Sequence, residues 1–426
     1  MPTPAEIEKN FTDIHPPLSG HGGLVESARC YFCYDAPCVS ACPTGIDIPG
    51  FIHQIRSGNG DGAARTILRA NIMGGMCARV CPTEILCEEV CVRNKPGDSP
   101  VRIGLLQRHA TDPVLERGVQ FFRRAESTGK RAAVVGAGPA GLACAHQLAL
   151  FGHAVTVFEK QKKPGGLNEF GIAAYKTVDD FARREVEYIL AVGGIEMRAG
   201  AELGRDITLE ELRGEFDAVF LSPGLGGVNR AGVEGEGLDG VMDAVGFIAA
   251  LRQAEDKSRI KVGKKIVVIG GGMTAIDIAV QTRKLGAEEV TIVYRRGPED
   301  MRASRHEQDF ARSNGVHFRC NARPARFIGE GTVRAAEFTV DGGETITLAA
   351  DMVFTAIGQA LGGGIPEGLS TADGRISVTA DRATSIPGVW AGGDCVAGGD
   401  NLTVTAVEDG KVAARSIHRF LGGGHG

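Results

Sequence analysis

The most restrictive feature of this sequence is one pattern that occurs twice: an apolar segment, a glycine-rich turn, an apolar helical segment and a second apolar segment. Residues 131–159 read RAAVVGAGPAGLACAHQLALFGHAVTVFE, and residues 264–296 read KKIVVIGGGMTAIDIAVQTRKLGAEEVTIVYRR. A strand, a tight turn, a helix and a second parallel strand form a dinucleotide-binding unit. The repeat therefore predicts an α/β fold with two Rossmann-like dinucleotide-binding domains.

The first glycine turn has the full G-x-G-x-x-G spacing. The residues predicted to bind a nucleotide there are Gly136, Gly138, Pro139, Ala140 and Gly141. The three glycines allow the tight turn, the close approach of a pyrophosphate and the packing of helix on strand, with the phosphates at the positive helix N-terminus. Glu159 ends the second strand, where a carboxylate accepts hydrogen bonds from ribose hydroxyls. Strand, helix and terminal acid in register favour a nucleotide site over a purely structural turn.

The second glycine turn differs at the end of its second strand. Its predicted nucleotide-binding residues are Gly270, Gly272, Met273, Thr274 and Ala275. The strand runs into Tyr294, Arg295 and Arg296 and carries no acid, and Arg302 follows a few residues later. Arginines at this place suit a 2′-phosphate, which favours NADPH over NADH. The alternative interpretation is a solvated basic turn.

The second strands of the two domains end in different residues, which suggests that the domains bind two different nucleotides. One would be a permanently bound flavin dinucleotide, and the other a nicotinamide coenzyme that binds and dissociates. The stretch TSIPGVWAGGD, residues 384–394, precedes a helix and resembles the closing motif of two-dinucleotide flavoprotein reductases. The resemblance implies that Asp394 contacts the flavin ribityl chain and that the helix N-terminus faces the flavin ring. It adds Gly166, Leu167, Gly393 and Thr403 to the FAD site, and Ala356 and Gly358 to the NAD(P) site.

A second constraint comes from two cysteine blocks that precede the first glycine turn. They are C-x2-C-x4-C-x3-C-P (Cys30, Cys33, Cys38, Cys42) and C-x3-C-x5-C-x3-C (Cys77, Cys81, Cys87, Cys91). The N-terminal sequence has no apolar signal segment, so we expect a reducing compartment and metal or cluster ligands instead of disulfides. Zinc favours paired C-x2-C units, whereas a cysteine before proline is typical of ferredoxin-like runs, where it serves the other cluster of a pair. The blocks predict two crossed [4Fe–4S] clusters.

Composition excludes several other classes. The net charge of −5 gives no basic signal for nucleic acid. No run of eighteen apolar residues is present, so we expect no membrane span and a cytoplasmic protein. We find no nucleophile or metal-hydrolase motif and predict no particular catalytic residue.

The combination of motifs resembles one known family. It is similar to the NAD(P)H-oxidising electron-entry module shared by the glutamate synthase small subunit and the N-terminal half of dihydropyrimidine dehydrogenase, which in bacteria is a separate subunit. In CPTEILC five residues separate Cys81 and Cys87, as in the pyrimidine enzymes, whereas the glutamate synthase type usually reads CPAPC. The stretch IGLLQRHATD, with Gln107, also resembles the pyrimidine type.

The resemblance implies specific ligands and domains. One cluster would use Cys30, Cys33, Cys38 and Cys91, and the other Cys42, Cys81, Cys87 and Gln107. From spacing alone, Cys77 would be the fourth ligand of the second cluster, whereas the resemblance favours Gln107 as that ligand. Lys176 matches a basic residue near the flavin, with a surface lysine as the alternative. The implied domains are a helical iron–sulfur domain (1–124), an FAD-binding domain (125–230 and 360–426) and an NAD(P)-binding domain inserted into it (231–359).

The resemblance also implies a function. NAD(P)H would reduce FAD, and two [4Fe–4S] clusters would carry single electrons to a partner. In the pyrimidine enzymes an FMN/iron–sulfur barrel reduces uracil or thymine to the 5,6-dihydropyrimidine, so we expect a barrel subunit of this type in a heterotetramer. The alternatives are a glutamate synthase small subunit, a free-standing NAD(P)H:acceptor oxidoreductase or, from another class, a zinc-stabilised binding protein on a retained Rossmann scaffold.

Overall fold

The chain forms two units with dense internal contacts. A computed structural model describes residues 2–362 and 366–422. The smaller unit comprises Met1–Ile14, Phe170–Val178 and Gly227–Ala360, and the larger unit comprises His15–Glu169, Asp179–Gly226 and Leu361–Gly426. Within the described ranges, no helix is long and apolar enough to cross a membrane.

The part of the chain that contains the cysteine blocks is helical, as the sequence predicts. Its helices are α1 (Pro4–Asn10), α2 (Gly20–Ser27), α3 (Pro37–Ser40), α4 (Ile48–Arg56), α5 (Gly60–Ala70), α6 (Gly74–Val80) and α7 (Ile103–Glu116), with a 3₁₀ turn at Thr83–Ile85. The side chains of Asp47 and Asn59 accept hydrogen bonds from the first turns of α4 and α5, which fixes where both helices begin. Phe51, Ile52 and Ile67 bury the apolar faces of these helices.

The first glycine-turn unit follows. Its elements are β1 (Arg131–Val135), α8 (Pro139–Leu150), β2 (Ala154–Glu159), α9 (Leu167–Phe170), α10 (Phe181–Leu190), β3 (Ile195–Ala199), α11 (Leu209–Glu215) and β4 (Ala218–Leu221). β1 pairs in parallel with β2 and with β4, and the two central strands are almost entirely buried. Strands buried on both faces are expected to be continuously apolar, as Ala132–Val135 are.

The second glycine-turn unit belongs to the smaller unit. Its elements are β5 (Gly227–Val228), β6 (Val241–Asp243), α12 (Ala244–Gln253), a 3₁₀ turn at Lys257–Arg259, β7 (Lys265–Ile269), α13 (Met273–Leu285), β8 (Glu289–Val293), a 3₁₀ turn at Pro298–Asp300, α14 (Arg305–Ser313), β9 (Val316–Arg319), β10 (Ala322–Glu330), β11 (Thr332–Val340), β12 (Thr345–Ala349), β13 (Met352–Thr355) and β14 (Gln359–Ala360). A five-stranded parallel sheet has the order β6-β13-β7-β8-β9, and β10, β11 and β12 form an antiparallel sheet.

The C-terminal elements return to the larger unit. They are β15 (Thr371–Ala372), β16 (Arg375–Ile376), β17 (Val389–Ala391) and α15 (Thr403–Phe420). β17 adds to the first sheet beside β4, so that its parallel order is β17-β4-β1-β2-β3. The predicted α/β fold with two dinucleotide-binding sheets is therefore confirmed.

Helices α8 and α15 pack unusually closely in the larger unit. A Cβ atom on Gly410 of α15 would collide with the carbonyl oxygen of Ala140 and lie 2.8 Å from the amide nitrogen of Cys144. The contact is backbone against backbone, so neither helix can yield by changing a rotamer.

We therefore expect Gly410→Ala to lower the free energy of unfolding by ~1–3 kcal/mol, the usual cost of overpacking. The matched control is Gly214→Ala in α11, where a Cβ atom would meet nothing within 4 Å. Ala is the better helix former, so this control should be neutral or stabilise by up to about 1 kcal/mol. Urea unfolding of both variants measures the difference, and equal midpoints would contradict the close packing of α8 on α15.

Candidate functional site

The first glycine turn closes in the way that the sequence predicts. Gly136 has φ +94°, a conformation that L side chains rarely adopt, and a Cβ atom there would collide with the carbonyl oxygen of Ser222. A Cβ atom on Gly141 would collide with the carbonyl oxygen of Gly136. Helix α8 begins at Pro139 with Gly138 as its N-cap and no side chain capping it. Its first N–H groups are thus available to a phosphate.

Glu159 is placed at this turn. One carboxylate oxygen accepts a hydrogen bond from the amide of Ala137 at 2.7 Å, and the other accepts from the amide of Gln161 at 2.8 Å. The side chain is buried at the end of β2. A carboxylate oxygen can accept more than one hydrogen bond, so this arrangement both supports the turn and keeps acceptors for a ribose.

The loop before α9 lies against the glycine turn. The amide of Gly165 donates to the carbonyl of Ala137 at 2.8 Å, and a Cβ atom on Gly166 would lie 2.7 Å from the Cα atom of Gly138. The predicted residues Gly166 and Leu167 are therefore brought to the α8 N-terminus. Asn168 joins this loop to α15, because its Oδ1 atom accepts a hydrogen bond from Thr403 Oγ1 at 2.8 Å.

A buried carboxylate that the sequence analysis missed holds the Gly393–Asp394 turn. Asp409 of α15 is 1% exposed, and its Oδ2 atom accepts from the amide of Gly393 at 2.8 Å. Arg382 Nε donates to Asp409 Oδ1 at 2.8 Å. Burial raises the pKa of Asp394, and the positive charge of Arg375 opposes that rise. No spacing rule marks Asp409, which reads in the sequence as one more charge on an amphipathic helix.

The second glycine turn repeats the first within the smaller unit. Gly270 has φ +151°, and a Cβ atom on it would collide with the carbonyl oxygen of Ala356. Helix α13 begins at Met273 without a side-chain cap, and a Cβ atom on its N-cap, Gly272, would meet nothing within 4 Å. The predicted residues Met273–Ala275 thus form the first turn of α13, whose N-terminus is not covered by a side chain. This turn lies next to the end of β13, the strand that leads to Gly358.

The arginines predicted at the second site lie on the surface. Arg295, Arg296 and Arg302 are exposed, and Arg296 Nε donates to the Tyr294 hydroxyl at 3.1 Å. The ring of Tyr294 covers Gly271, where a Cβ atom would lie 2.5 Å from it. The amide next to Arg302, that of Ala303, donates to the carbonyl of Gly271 at 3.0 Å. These contacts keep the basic segment beside the glycine turn.

Lys176 lies in a buried ion-pair network, which contradicts the alternative of a surface lysine. Its Nζ atom lies 2.9 Å from Asp277 Oδ1 of α13 and 2.7 Å from Glu307 Oε1 of α14, and its side chain is only 10% exposed. All three residues belong to the smaller unit. Lys176 is thus a buried ion-pair partner and not a surface lysine, and its contact with a flavin stays a prediction.

Four cysteines from both blocks line one cavity. They are Cys30, Cys33, Cys38 and Cys91, and Ile48, Ile52 and Ile103 form part of the apolar wall. Burial and then the neighbouring Cys30 and Cys91 thiols raise the pKa of Cys38 to about 11. Four cysteines around one apolar cavity match in number the thiolates that usually hold a [4Fe–4S] cluster.

A second group of thiols surrounds Cys81, at the end of α6. A hydrogen bond with Cys77, together with burial, raises the pKa of Cys81, and the Cys87 and Cys42 thiols add to the rise. Gln107 is buried on α7, and its Nε2 atom donates to the carbonyl of Gly74 at 2.6 Å. The predicted ligands Cys42, Cys81 and Cys87 are therefore neighbours. Cys77 lies on α6 itself, and Gln107 contacts α6 at Gly74, the first residue of the helix.

A buried carboxylate supports the start of α6. Glu185 is 1% exposed, and its Oε1 atom accepts hydrogen bonds from the amides of Gly75 at 2.8 Å and Met76 at 3.1 Å. Burial raises the pKa of Glu185 to about 8, although the amides of Met76 and Gly75 and the charge of Arg79 oppose the rise.

Two family profiles match the chain. The profile of the pyridine nucleotide-disulphide oxidoreductases matches residues 130–410, and that of dihydropyrimidine dehydrogenase domain II, 4Fe-4S cluster, matches residues 7–119. Fold and site together define an oxidoreductase that uses FAD and NAD(P)H and is joined to a domain for 4Fe-4S clusters.

Curated relatives match over almost the whole chain. The NAD-dependent dihydropyrimidine dehydrogenase subunit PreT of Escherichia coli (strain K12) is 35% identical over 98% of this chain and 98% of its own. The glutamate synthase [NADPH] small chain of the same strain is 34% identical, over 98% and 96%. The chain belongs to the pyridine nucleotide-disulphide oxidoreductases, in the group with a dihydropyrimidine dehydrogenase-type 4Fe-4S domain that includes these two proteins.

Solved structures confirm the fold of the two nucleotide-binding sheets. Thioredoxin reductase of T. acidophilum aligns with a TM-score of 0.57 at 22% identity, covering 68% of this chain and 99% of that structure. FprA of Mycobacterium tuberculosis in complex with NADPH aligns with a TM-score of 0.58 at 19% identity, covering 69% and 85%. At these identities the likeness concerns the fold alone.

We expect Cys91→Ala to remove about four iron atoms per chain, because it takes away one of the four ligands that the cavity offers to a [4Fe–4S] cluster. The control is Cys320→Ala, which changes a cysteine of the smaller unit outside both blocks. Iron and acid-labile sulfide analysis of anaerobically purified protein measures the loss. Full iron content in Cys91→Ala would contradict the assignment of Cys91 to a cluster.

We expect Glu185 to make stability fall as pH rises. Between pH 4.5 and about 8 the unfolded carboxyl is ionised while the buried one keeps its proton. The cost is at most ~1.4 kcal/mol per pH unit over that window. Glu185→Gln removes this term, so its stability relative to the parent should be higher at about pH 8 than at about pH 5.

Urea unfolding at the two pH values checks this expectation. Glu187→Gln on the same helix is the control, because the side chain of Glu187 is exposed. A pH dependence that is identical in the parent and in Glu185→Gln would show that Glu185 is ionised in the folded protein.

Proposed function

We propose that this chain is the electron-entry subunit of a dihydropyrimidine dehydrogenase. It takes electrons from NAD(P)H at FAD and passes them through two [4Fe–4S] clusters to a partner subunit that reduces uracil or thymine to the 5,6-dihydropyrimidine. The observation that carries the proposal is the 35% identity to the PreT subunit over 98% of both chains. The spacing of Cys81 and Cys87 and the presence of Gln107 support it over the glutamate synthase type.

The residues of the larger unit would hold FAD. We assign the pyrophosphate to the open N-terminus of α8 at Gly138–Gly141, the ribose to Glu159 and the ribityl chain to Asp394. When bound, FAD accepts two electrons from the nicotinamide and releases them singly. The protein's part is to fix the turn through Asp409 and Glu159 and to exclude water, with no acid–base residue assigned.

The residues of the smaller unit would hold the nicotinamide coenzyme. The open N-terminus of α13 suits its pyrophosphate, as at the first site. We assign the 2′-phosphate of NADPH to Arg295, Arg296 and Arg302, because guanidinium groups bind phosphate in bidentate fashion. NADH, which lacks that phosphate, would leave the three side chains in solvent.

The family resemblance assigns the cluster ligands, and the grouping of seven of the cysteines supports this assignment. Cys30, Cys33, Cys38 and Cys91 would hold the first cluster, and Cys42, Cys81, Cys87 and Gln107 the second. We also propose the domain limits 1–124, 125–230 with 360–426, and 231–359 for the iron–sulfur, FAD and NAD(P) parts. The proposed setting is the cytoplasm, where thiols stay reduced.

The partner is proposed to be an FMN/iron–sulfur barrel subunit, in a heterotetramer with two copies of each chain. Anaerobic affinity purification of the chain from its own cells, with mass spectrometry of co-purifying chains, tests this. A flavin barrel subunit supports the proposal. If a large glutamate synthase subunit co-purifies, the chain is the small subunit of a glutamate synthase. If no partner co-purifies, the result favours a free-standing reductase.

We expect the isolated chain to reduce a dye with NADPH but to form no dihydrouracil from uracil, and the purified complex to form it. The physical reason is that this chain supplies electrons while the pyrimidine binds on the partner. Chromatographic product analysis after anaerobic incubation measures both. Dihydrouracil from the isolated chain at the rate of the complex would overturn the need for a partner.

We expect Arg295→Ala and Arg302→Ala to raise the KM for NADPH roughly tenfold, because each loses a charged hydrogen bond of about 1.5 kcal/mol or more. The KM for NADH should stay the same. Arg323→Ala, which changes an exposed arginine on β10, is the control. Steady-state dye reduction with both coenzymes measures the effect, and equal changes for both would refute the 2′-phosphate site.

A further inference from the structure

Arg93 is the one permanently charged residue, within the described part of the chain, that lines the cavity of Cys30, Cys33, Cys38 and Cys91. The other lining residues are the four cysteines, apolar side chains and one tyrosine. A charge at the wall of an apolar cavity is costly unless negative groups or hydrogen-bond acceptors lie near it. The position of Arg93 is therefore explained only if each of its N–H groups has an acceptor.

The terminal nitrogens of Arg93 are held by the protein. Nη1 donates to the carbonyl of Arg29 at 3.2 Å. Nη2 donates to Asp98 Oδ1 at 3.2 Å and lies 3.0 Å from Asp98 Oδ2. The centre of the guanidinium also lies 4.8 Å from the centre of the Tyr31 ring. A guanidinium is planar, so these contacts also fix the direction of its third nitrogen, Nε.

The Nε atom of Arg93 is buried and has no acceptor among the residues that the structure describes. A buried donor without a partner is rare in folded proteins, so an acceptor is expected nearby. The Nε atoms of Arg79, Arg124 and Arg184 share this feature, but none of these arginines lines the cavity. At Arg93 the cavity offers room for an acceptor, and the sulfur atoms of a cluster held by the four cysteines would supply one.

The ion pairs around Arg93 leave an excess of positive charge. Asp98 is shared by Arg93 and Arg29, and Glu26 is shared by Arg29 and Arg102. Three guanidinium groups thus face two carboxylates, and one positive charge in this network has no counter-charge. An iron–sulfur cluster with four thiolate ligands is negatively charged, so its charge and that of the network attract each other.

We propose that Arg93 donates a hydrogen bond from Nε to a sulfur atom of the first cluster and thereby raises the reduction potential of that cluster. The inference rests on the proposed assignment of Cys30, Cys33, Cys38 and Cys91 to this cluster. Reduction adds one negative charge, so a donor and a fixed positive charge stabilise the reduced state more than the oxidised state. The low dielectric of an apolar cavity strengthens both effects. No proton moves, because a guanidinium stays charged in proteins.

The test is an anaerobic redox titration of the full chain with its cofactors, read by electron paramagnetic resonance, together with iron analysis. Arg93→Met keeps the apolar stem and removes the charge and the donor, so the potential of one cluster should become more negative while the other stays unchanged. Arg93→Lys keeps a charge but has no Nε, and it should give a smaller shift in the same direction. The control is Arg117→Met, which changes an exposed arginine at the end of α7 that does not line the cavity.

A second measurement detects the hydrogen bond itself. In a chain that carries isotopically labelled arginine, pulsed electron paramagnetic resonance of the reduced first cluster should show a coupling to an arginine nitrogen. Arg93→Lys should abolish this coupling, and Arg117→Met should retain it. The coupling in the labelled parent decides the question if Arg93→Met loses its iron.

Absence of the nitrogen coupling in the parent would overturn the proposal. Unchanged potentials in an Arg93 variant that keeps its iron would also overturn it, and so would an equal shift of both clusters, which indicates a general change in the protein. A parent chain without iron would contradict the cluster assignment and the proposal with it. The titration uses neither coenzyme nor partner, so its outcome is separate from any failure of the proposed electron-entry function.

Discussion

The close approach of backbone to backbone at the first glycine turn is the constraint on which the larger unit depends. The turn folds back so tightly that Gly141 faces the carbonyl of Gly136, and no side chain fits at either place. This allows α8 to begin directly at the end of β1 with its N–H groups uncovered. Helix α15 then packs on α8 through Gly410 and carries Asp409, which holds the Gly393 turn. The uncovered N-terminus of α8 and the position of the Gly393 turn thus both depend on close contacts between backbones.

The helical part is organised by paired buried charges and not by an apolar core alone. Arg79 of α6 makes a bidentate ion pair with Asp112 of α7, at 2.9 and 2.8 Å, and its guanidinium lies 3.4 Å from the centre of the Phe181 ring. Glu185 accepts hydrogen bonds from the α6 amides while its own carboxyl keeps its proton up to about pH 8. The Arg79 and Asp112 charges are costly to bury alone, so the removal of one partner leaves the other uncompensated. These contacts fix α6, the helix that carries Cys77 and ends just before Cys81.

Local sequence rules worked where the chemistry is local. Both strand–turn–helix units begin and end within a few residues of the predicted limits, since glycine spacing and apolar periodicity act between near neighbours. The same rules could not show that Lys176 is buried, because its ion-pair partners Asp277 and Glu307 lie more than a hundred residues away in the chain. Local sequence rules also did not indicate that α1 packs in the smaller unit, where Ile7 and Phe11 join the hydrophobic core around α13 and β7.

The sequence by itself determined the two dinucleotide-binding units, the class of cofactors and the two cysteine blocks. Each of these features depends on residues that lie close together in the chain at fixed spacing. Only the tertiary structure decided which thiols share a cavity, that Asp409 holds the Gly393–Asp394 turn and that Asn71 donates a hydrogen bond to Cys77. Those pairings depend on burial and on the orientation of side chains that are brought together by packing. An isolated Asp or Asn in a helix or loop has the same letter whether water, a backbone amide or a buried thiol lies beside it.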